Sequence, residues 1–343
     1  MPKVLYGVSP IGLGHATRTL AVVERLIAAG ADVRLFSGGV AADFLRTCGY
    51  NPDDIVSDSV PEVVDGEMKR AALWYVRSWA ALKRTTGRAE RVFDEYGPDL
   101  VVCDEEFSGV EVAAKRGCRR VFVSDELELG FARGRVARYI ERRVERWYSK
   151  LQDSVTLLVI PDFGTDEKNR RHVGPIVRTI TESRGETRVK YGLPAEAKMV
   201  LFSMSGSGIG SFLLERVLQA VRCEAMRGAF VAISGNRGHR IALEGVYDLG
   251  VVGDNQNLIA AADLVVSTAG KSTEDEAASA GTPFIGIPIR HHAEQERNAA
   301  SLGYTSADAE RLRQLIIQKI GGRMAPRNYR GAELASRLLM SIS

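Results

Sequence analysis

Short β-branched segments alternate with longer helical patterns along the chain, and this alternation constrains the fold more than any other feature. Helical periodicity separates neighbouring strands, for example over Ala16–Ala29 and Ala41–Thr47. Strands that alternate with helices in this way form a parallel sheet covered by helices on both faces. The first series of predicted strands comprises Val4–Ser9, Val33–Phe36, Leu100–Cys103, Val121–Val123 and Thr156–Ile160.

A second alternating series begins at Met199, after a polar segment that follows Pro161. A chain of 343 residues also has the length of two ordinary domains. We therefore expect an α/β protein with two Rossmann-like, doubly wound parallel-sheet domains in tandem and a cleft between them. The predicted strands of the second series are Met199–Met204, Ala229–Ile233, Tyr247–Val252, Asp263–Ser267 and Phe284–Ile287, and the predicted helices span 209–226, 272–280, 293–301, 307–319 and 328–341.

Composition and charge exclude several classes of protein. The 46 basic and 43 acidic residues leave a net charge of +3, so we expect no nucleic-acid partner. The four cysteines are scattered and contain no C-x-x-C pair, which indicates a reducing compartment without a disulfide framework. The sequence predicts neither a signal peptide nor an apolar run of the ~20 residues that cross a bilayer. We expect a cytoplasmic protein, either free or peripheral at the inner face of the cell membrane.

The first predicted strand leads into Gly12-Leu13-Gly14-His15-Ala16-Thr17-Arg18. Ligands of open α/β sheets bind beyond the carboxyl ends of the strands, so this turn is a candidate site. It matches a dinucleotide fingerprint only in part, because Thr17 replaces the third glycine and no acid stands in Arg34–Gly39. NAD binding is therefore disfavoured. The turn places His15 at the start of a helix, where a functional role is favoured over a simple helix-capping role.

Two glycine-containing loops follow strands of the second series. Small residues such as those of the first loop let backbone N–H groups approach an anion, although an ordinary tight turn has the same composition. In the second loop Lys271 adds a positive charge, and Glu276, one helical turn further on, is placed to accept hydrogen bonds from ribose hydroxyls. A capping-box helix start would explain the acids of this loop but not its Gly-Lys-Ser-Thr run. The residues concerned are Ser205, Gly206, Ser207 and Gly208 in the first loop, and Gly270, Lys271, Ser272 and Thr273 in the second.

Carboxylates follow two strands of the first series. Asp104 and Glu105 come directly after Leu100–Cys103, and Asp125 follows Val121–Val123. The carboxyl ends of parallel strands share one sheet edge, so these side chains should lie near His15. Asp104 would then orient the imidazole and raise its basicity. The alternative is a solvated acidic rim. Adjacent His291 and His292 cannot both face one ion from a regular element, so we expect neither a metal nor a cofactor.

Taken together, these segments resemble the nucleotide-sugar glycosyltransferases of GT-B fold, and most closely the MurG-like and UDP-glycosyltransferase-like groups. The resemblance covers most of the chain and has several motifs in the right order. Its most specific part runs from Asp263 to Ala299, where a Gly-rich turn and the Glu276 helix precede Glu294-Gln295. The other motifs are Gly12-x-Gly14-His15-x-x-Arg18, Gly174–Arg178 and Ser205–Gly210.

This resemblance implies a division of labour between residues 1–161, the acceptor-binding domain, and 162–327, which bind a nucleotide sugar, UDP-linked by default. Residues 328–343 would form a helix that packs back on the first domain. His15 would be the general base of an inverting transfer that needs no metal. Gly12, Gly14, Arg18 and Glu105 would lie on the acceptor side. On the donor side, Val252 and Gly253 would contact the base, and Glu276 would hold the ribose. The loops 205–208 and 270–273 would bind the diphosphate. Glu294 and Gln295 would bind the sugar.

One departure from the family pattern concerns Thr268, which stands where many UDP-glycosyltransferases have a phosphate-contacting histidine. Lys271 is the obvious substitute. The base and the sugar of the donor therefore stay open, as does the oligomeric state, either a monomer or a homodimer. A nucleotide-sugar hydrolase or epimerase of the same fold remains the rival enzyme. A sensor that only binds the nucleotide sugar is the rival from another class.

The acceptor is the least determined feature of the sequence. Segments 68–92 and 131–150 are basic, and the second also carries a helical stripe of apolar residues from Val136 to Leu151. This pattern indicates either a solvated helix face or a surface that docks on an anionic membrane. A lipid-linked acceptor and a small-molecule acceptor are both consistent with it.

Overall fold

The computed structural model describes residues 1–57, 62–125, 130, 134–204 and 209–343. In these residues the strands are β1 (Lys3–Val8), β2 (Asp32–Ser37), β3 (Asp53–Asp54), β4 (Glu62–Val64), β5 (Glu67–Lys69), β6 (Leu100–Asp104), β7 (Arg119–Val123), β8 (Leu157–Ile160), β9 (Arg170–His172), β10 (Met199–Ser203), β11 (Phe230–Ser234), β12 (Val246–Asp248), β13 (Leu264–Ser267) and β14 (Phe284–Gly286). The α-helices are α1 (Gly14–Ala28), α2 (Gly39–Thr47), α3 (Ala71–Tyr96), α4 (Phe107–Lys115), α5 (Arg135–Ser154), α6 (Arg184–Lys190), α7 (Leu214–Val221), α8 (Asn255–Ala261), α9 (Lys271–Ala280), α10 (Ala293–Ser301), α11 (Leu312–Lys319) and α12 (Gly331–Ile342).

The chain forms two compact units. The first contains Met1–Glu62, Lys69–Arg178 and Tyr329–Ser343, and the second contains Val63–Met68 and Thr179–Asn328. Each unit has its own buried apolar core, around Val101 and Phe122 in the first and around Phe202 and Val266 in the second.

The first unit is built on a seven-stranded parallel sheet in the order β3-β2-β1-β6-β7-β8-β9. The central strands are continuous apolar runs that are buried on both faces, as expected for a parallel sheet. Strand order reverses between β1 and β6, which places the loops after these two strands at the ligand-binding edge of the sheet. The last helix, α12, packs against α1 in this unit.

The second unit is built on a five-stranded parallel sheet in the order β12-β11-β10-β13-β14. Its order reverses between β10 and β13, which places the loops after these two strands at the ligand-binding edge of the sheet. Residues 205–208, which follow β10, lie outside the described residues, whereas the loop after β13 is described throughout. The α/β class and the two parallel sheets expected from the sequence are thus confirmed.

Several details differ from the sequence-based expectation. Residues 162–178 belong to the first unit, where β9 adds an edge strand, so the units divide at Arg178 rather than at residue 161. The expected strand Tyr247–Val252 ends at Asp248 because the chain turns at Gly250, whose φ is 65°. The expected helix 209–226 is broken into a 3₁₀ turn, α7 and a second 3₁₀ turn.

The periodicity did not reveal the small hairpin β4–β5. Its two-residue connection is Asp65-Gly66, with both residues at positive φ, 48° and 69°. An Asp-Gly pair is the sequence signal of a type I′ hairpin turn, and the positive φ values of both residues agree with that signal. In the part of the chain that the structure describes, no helix combines the length and the apolar character of a bilayer span.

Candidate active site

His15 and Asp104 lie side by side at the point where the strand order of the first sheet reverses. His15 is the second residue of α1, which follows β1, and Asp104 is the last residue of β6. The turn before α1 is tight, and Gly12 has a φ of 72°, which favours glycine. The imidazole Nδ1 is 2.9 Å from Asp104 Oδ1. The Asp104 side chain is 1% exposed and that of His15 25%, so solvent reaches the ring and not the carboxylate.

Arg18, one turn further along α1, holds the same carboxylate. Its Nε donates to Asp104 Oδ2 at 2.7 Å and its NH2 donates to Oδ1 at 2.6 Å, a bidentate pair. Thr19 donates to Oδ2 from 3.3 Å, and Arg18 NH1 reaches Asp125 at 3.3 Å. The sequence pattern Gly-x-Gly-His-x-x-Arg thus delivers its histidine and its arginine to a single carboxylate.

The electrostatics of this cluster fix the roles of its atoms. Burial opposes the charge on Asp104, but Arg18 and His15 outweigh it and hold the pKa of the carboxyl below its usual range. An ionised carboxylate only accepts, so we assign the tautomer that is protonated on Nδ1, although the Arg18 NH2 donor also lies 3.1 Å from this nitrogen. Burial and the Arg18 charge lower the pKa of His15, but Asp104 and Glu105 outweigh them, so the pKa of His15 lies above its usual value. The arrangement leaves Nε2 as the nitrogen that can take a proton.

Glu105 forms a second polar cluster beside the first. Its φ of 49° is unusual for a residue other than glycine, and it turns the chain between Asp104 and α4. Its Oε1 accepts from Ser124 Oγ at 2.5 Å and from Tyr148 OH at 3.0 Å. Burial raises the pKa of this carboxyl despite the nearby His15 charge. Ser124 and Tyr148 were missed from the sequence, because Tyr148 reads as one member of an apolar stripe.

In the second unit, the loop after β13 presents backbone rather than charged side chains. Thr268 and Ala269 are buried, and Ala269 has a φ of 57°. Gly270 is the N-cap residue that precedes α9, and it has no side chain to cap the first turn. Ser272 and Thr273 follow in that turn, and the N-terminus of a helix favours an anion. The Lys271 ammonium donates to Asp275 Oδ1 at 2.6 Å, so its charge is shared with a carboxylate.

The remaining donor-side candidates lie around the same sheet edge. Glu276 is 5% exposed on α9, and Val252 is buried against the core below the loop that leads to α8. Gly253 is followed by Asp254, which accepts from Lys190 Nζ at 2.7 Å and from the Tyr191 hydroxyl. The sequence-predicted residues Ser205, Gly206, Ser207 and Gly208 lie outside the described residues.

Glu294 and Gln295 begin α10, and the loop before this helix is tightly held. Gln295 Oε1 accepts from the backbone N–H of Ile289 at 3.1 Å, and its own backbone N–H donates to His292 Nδ1 at 3.4 Å. Burial lowers the pKa of His292 to about 4, so it caps the helix as a neutral imidazole. Among the described residues, no group of three His, Cys, Asp or Glu side chains is arranged to hold a metal ion.

Comparisons with known proteins agree with this architecture. Residues 201–314 match the model of the glycosyltransferase family 28 C-terminal domain. An uncharacterized glycosyltransferase of Methanosarcina acetivorans is 25% identical over 87% of this chain and 82% of its own length. The Mycobacterium bovis enzyme named UDP-N-acetylglucosamine–N-acetylmuramyl-(pentapeptide) pyrophosphoryl-undecaprenol N-acetylglucosamine transferase is 26% identical over 90% of this chain and 78% of its own.

Solved structures share the fold over the whole chain. The glycosyltransferase SnogD from Streptomyces nogalater superimposes with a TM-score of 0.61 at 19% identity, covering 99% of both chains. A Streptomyces glycosyltransferase solved with thymidine diphosphate gives 0.62 at 16% identity, covering 99% of this chain and 100% of its own. The fold is that of the GT-B glycosyltransferases, and the protein is an enzyme of the glycosyltransferase type.

Proposed function

We propose that the protein transfers a sugar from a nucleoside diphosphate sugar to an acceptor hydroxyl, with inversion and without a metal. The observation that carries this proposal is the His15–Asp104 pair at the strand-order reversal of the first sheet. A partly exposed imidazole whose Nδ1 faces a buried carboxylate is the arrangement of a general base. The second unit contributes the anion-binding loop that a diphosphate leaving group requires.

The reaction assigns a step to each group. His15 Nε2 accepts the proton of the acceptor hydroxyl while that oxygen attacks the anomeric carbon of the donor sugar. The bond from this carbon to the diphosphate oxygen breaks on the opposite face, and the nucleoside diphosphate leaves as the anion. Asp104 stabilises the imidazolium that forms, and Arg18 keeps that carboxylate in place. Gly12 and Gly14 shape the turn on the acceptor side, and Glu105 lies beside it.

On the donor side, backbone N–H groups of the first turn of α9 would receive the diphosphate, with Ser272 and Thr273 as side-chain donors. Glu276 would hold the ribose, Val252 and Gly253 the base, and Glu294 and Gln295 the sugar. The loop 205–208 would complete the diphosphate site. Because Lys271 is paired with Asp275, we assign the main anion stabilisation to the helix N-terminus and a smaller part to Lys271.

The identity of the nucleotide rests on the relatives. The Mycobacterium bovis relative is named for a UDP-linked donor and an undecaprenol-linked acceptor, whereas one structural neighbour holds thymidine diphosphate. UDP is therefore the first donor class to test and dTDP the second. The test incubates the protein with UDP- and dTDP-sugars, with and without cell lipid extract, and measures free nucleoside diphosphate. Release that requires the extract supports transfer to an acceptor, whereas fast release without it supports a hydrolase. No release from any donor would contradict both.

We also propose that a lipid surface is part of the acceptor side. Helices α3 and α5 pack together, and Trp79 and Trp147 meet edge to face at 5.5 Å. Apolar side chains remain exposed on the pair, and Val136 is 74% exposed. Basic side chains surround them, which suits an anionic interface. The exposed apolar residues are Leu73, Val76, Trp79, Val136 and Tyr139, and the exposed basic residues of α5 are Arg135, Arg138, Arg142, Arg143, Arg146 and Lys150.

Cosedimentation with anionic vesicles tests this surface. Each basic side chain near the membrane contributes about 1 kcal/mol, and molar salt screens it. Binding at low salt should therefore fall when Arg138, Arg142, Arg143 and Arg146 are replaced by Gln. Replacing four exposed arginines of the second unit by Gln is the matched control, namely Arg222, Arg227, Arg240 and Arg313. No binding at low salt would instead favour a soluble acceptor.

A further inference from the structure

The tip of the β4–β5 hairpin belongs to the second unit, although the chain on either side of it belongs to the first. Val63–Met68 groups with Thr179–Asn328, whereas Glu62 and Lys69 group with the first unit. The second unit is therefore not continuous in sequence. A segment from the first fifth of the chain is built into it, and the position of that segment bears on function.

Main-chain hydrogen bonds attach the tip to the loop that precedes α10. The backbone N–H of Arg290 donates to the Gly66 carbonyl at 2.7 Å, and the backbone N–H of Met68 donates to the Arg290 carbonyl at 3.0 Å. Glu67 and Arg290 thereby form a parallel β-bridge. Two hydrogen bonds on one residue fix its backbone in both directions, so the hairpin sets the position of Arg290.

Side chains of the hairpin reinforce this attachment. Glu67 Oε1 is 3.3 Å from His291 Nε2, and the Arg290 guanidinium donates to the Asp65 carbonyl at 3.4 Å. His291 has a φ of 66°, a conformation that a residue other than glycine keeps only when its surroundings impose it. The hairpin supplies part of those surroundings.

The tip also contacts a second loop of the unit. A Cβ atom on Gly66 would stand 2.8 Å from the ring of Phe212, so this ring packs directly on the glycine backbone. Phe212 lies in the 3₁₀ turn Ile209–Leu213, which follows residues 205–208. The hairpin thus touches the element after β10 and the loop after β14.

The helix α10 holds the same loop from its other side. Gln295 Oε1 accepts from the Ile289 N–H at 3.1 Å, and Glu296 Oε1 accepts from the His291 N–H at 2.9 Å. Arg290 lies between Ile289 and His291 in the sequence, and it is the residue to which the hairpin is hydrogen-bonded. The orientation of the Gln295 side chain therefore depends on a loop whose centre is held by the hairpin.

We propose that the hairpin Val63–Met68 is part of the donor-sugar site and that Glu67 is a positioning residue for it. Through Arg290 and His291 it fixes the loop Ile289–His292, and this loop orients Gln295 toward the sugar. The inference rests on the proposed function, which assigns Gln295 to the donor sugar. It follows that Glu67 affects recognition of the sugar and leaves recognition of the nucleoside diphosphate unchanged.

The test compares Glu67→Gln with Glu62→Gln, a substitution in the same hairpin at a residue that pairs with Arg70 instead. Calorimetry measures the affinities of each protein for UDP-N-acetylglucosamine and dTDP-glucose and compares them with its affinities for UDP and dTDP. Glu67→Gln should weaken binding of the nucleotide sugar by about 2- to 10-fold, the effect of losing the partly exposed ion pair between Glu67 and Arg290. Affinity for the nucleoside diphosphate, and both affinities in Glu62→Gln, should stay within about 2-fold of wild type.

A double-mutant cycle isolates the contact itself. Glu67 Oε2 also lies 3.8 Å from the Arg290 guanidinium, so His291→Gln should lose less affinity than Glu67→Gln. The double variant Glu67→Gln/His291→Gln should lose no more than Glu67→Gln alone, because the His291 contact is already absent there. Additive losses, or equal losses for nucleotide sugar and nucleoside diphosphate, would overturn the positioning role. Glu67→Asp, which retains the charge on a shorter side chain, replaces Glu67→Gln if that variant does not fold. It is then expected to bind nucleoside diphosphate normally and nucleotide sugar weakly, and normal binding of both overturns the role.

The failure of this inference is distinguishable from that of the proposed function. A wild-type protein that binds the nucleotide sugar, together with a Glu67→Gln variant that binds it equally well, overturns the inference alone. A wild-type protein that binds the nucleoside diphosphates but none of the nucleotide sugars overturns the proposed donor, and with it the inference.

Discussion

Each unit has a histidine in the segment that follows a strand of its sheet, and the two histidines differ in their electrostatic surroundings. His15 in the first unit faces Asp104, which together with Glu105 raises its pKa against the opposing effects of burial and Arg18. His292 in the second unit is partly buried, and the loss of solvation outweighs the nearby Glu296 charge, so its pKa falls to about 4. The fold places a histidine after a strand in both cases. Neighbouring charge decides in which direction the pKa of each histidine shifts.

The same contrast extends to the surrounding groups. Around His15 the polar groups are charged side chains in a network, namely Arg18, Asp104 and Asp125. Around Gly270 they are backbone groups at the start of α9, and Lys271 there is already paired. Side-chain charge suits a proton transfer, whereas backbone N–H groups suit a diphosphate that carries its own charge.

The largest expected effect follows from removing His15, the proposed general base of the first unit. His15→Ala should lower kcat by roughly 10²–10⁴-fold, the usual contribution of general base catalysis, with donor affinity nearly unchanged. His239→Ala, at an exposed histidine of the second unit, is the control. Steady-state kinetics at saturating substrates measures the effect. If His15→Ala kept full turnover, the base would lie elsewhere, with Glu105 the next carboxyl to test.

The second effect concerns the charge balance around Asp104. Asp104→Asn leaves the buried Arg18 guanidinium without its bidentate partner, so we expect a loss of about 3–5 kcal/mol in the free energy of unfolding at pH 7. Because the folded pKa of Asp104 is depressed, its contribution is present above the unfolded pKa of about 4 and is lost as the pH falls further. Denaturant unfolding at pH 7 and pH 3 checks this.

The paired change Asp104→Asn/Arg18→Met serves as the control for that variant, since it removes the unpaired charge together with its partner. It should recover part of the lost stability. A single Asp104→Asn variant as stable as wild type at pH 7 would mean that solvent reaches Arg18, contrary to its burial.

The third effect tests the histidine of the second unit. The folded pKa of His292 lies below its usual value of about 6.5, so the neutral ring stabilises the unit above that pH. This stability should be lost as the pH falls from about 6.5 toward about 4, with an upper limit of about 3 kcal/mol. Thermal unfolding across this range is the measurement. His292→Asn keeps a capping side chain without the titration, so its profile should be flatter.

The smallest effect separates two residues of α9. Glu276→Gln should weaken the binding of UDP and of uridine by the same amount, about 1–3 kcal/mol, which is the range for hydrogen bonds to a charged group. Lys271→Ala should weaken the binding of UDP by about 1 kcal/mol or less and leave the binding of uridine unchanged, because Asp275 already shares the Lys271 charge. Calorimetry with both ligands distinguishes them. A large loss in Lys271→Ala would show that the ammonium leaves Asp275 when the diphosphate binds.

The sequence by itself determined the two parallel sheets, because strand and helix periods are local properties of the chain. It also predicted that His15 and Asp104 lie at one edge, since the turn that leads to His15 follows β1, Asp104 ends β6, and the carboxyl ends of parallel strands lie together. The glycine-containing turn before α1 and the Gly-Lys-Ser-Thr turn before α9 are equally local, and their place at strand ends could be read directly.

Only the tertiary structure decided which partners these residues have. Arg18 lies 86 residues from the carboxylate it holds, and Arg290 lies 225 residues from the Asp65 carbonyl it reaches. Periodicity gives the elements but not the order of strands in a sheet, and the order decides which strand ends are neighbours. Tyr148 illustrates this limit, because its place in an apolar stripe concealed a hydroxyl that binds Glu105. Such long-range pairings depend on how the elements pack, which no single segment encodes.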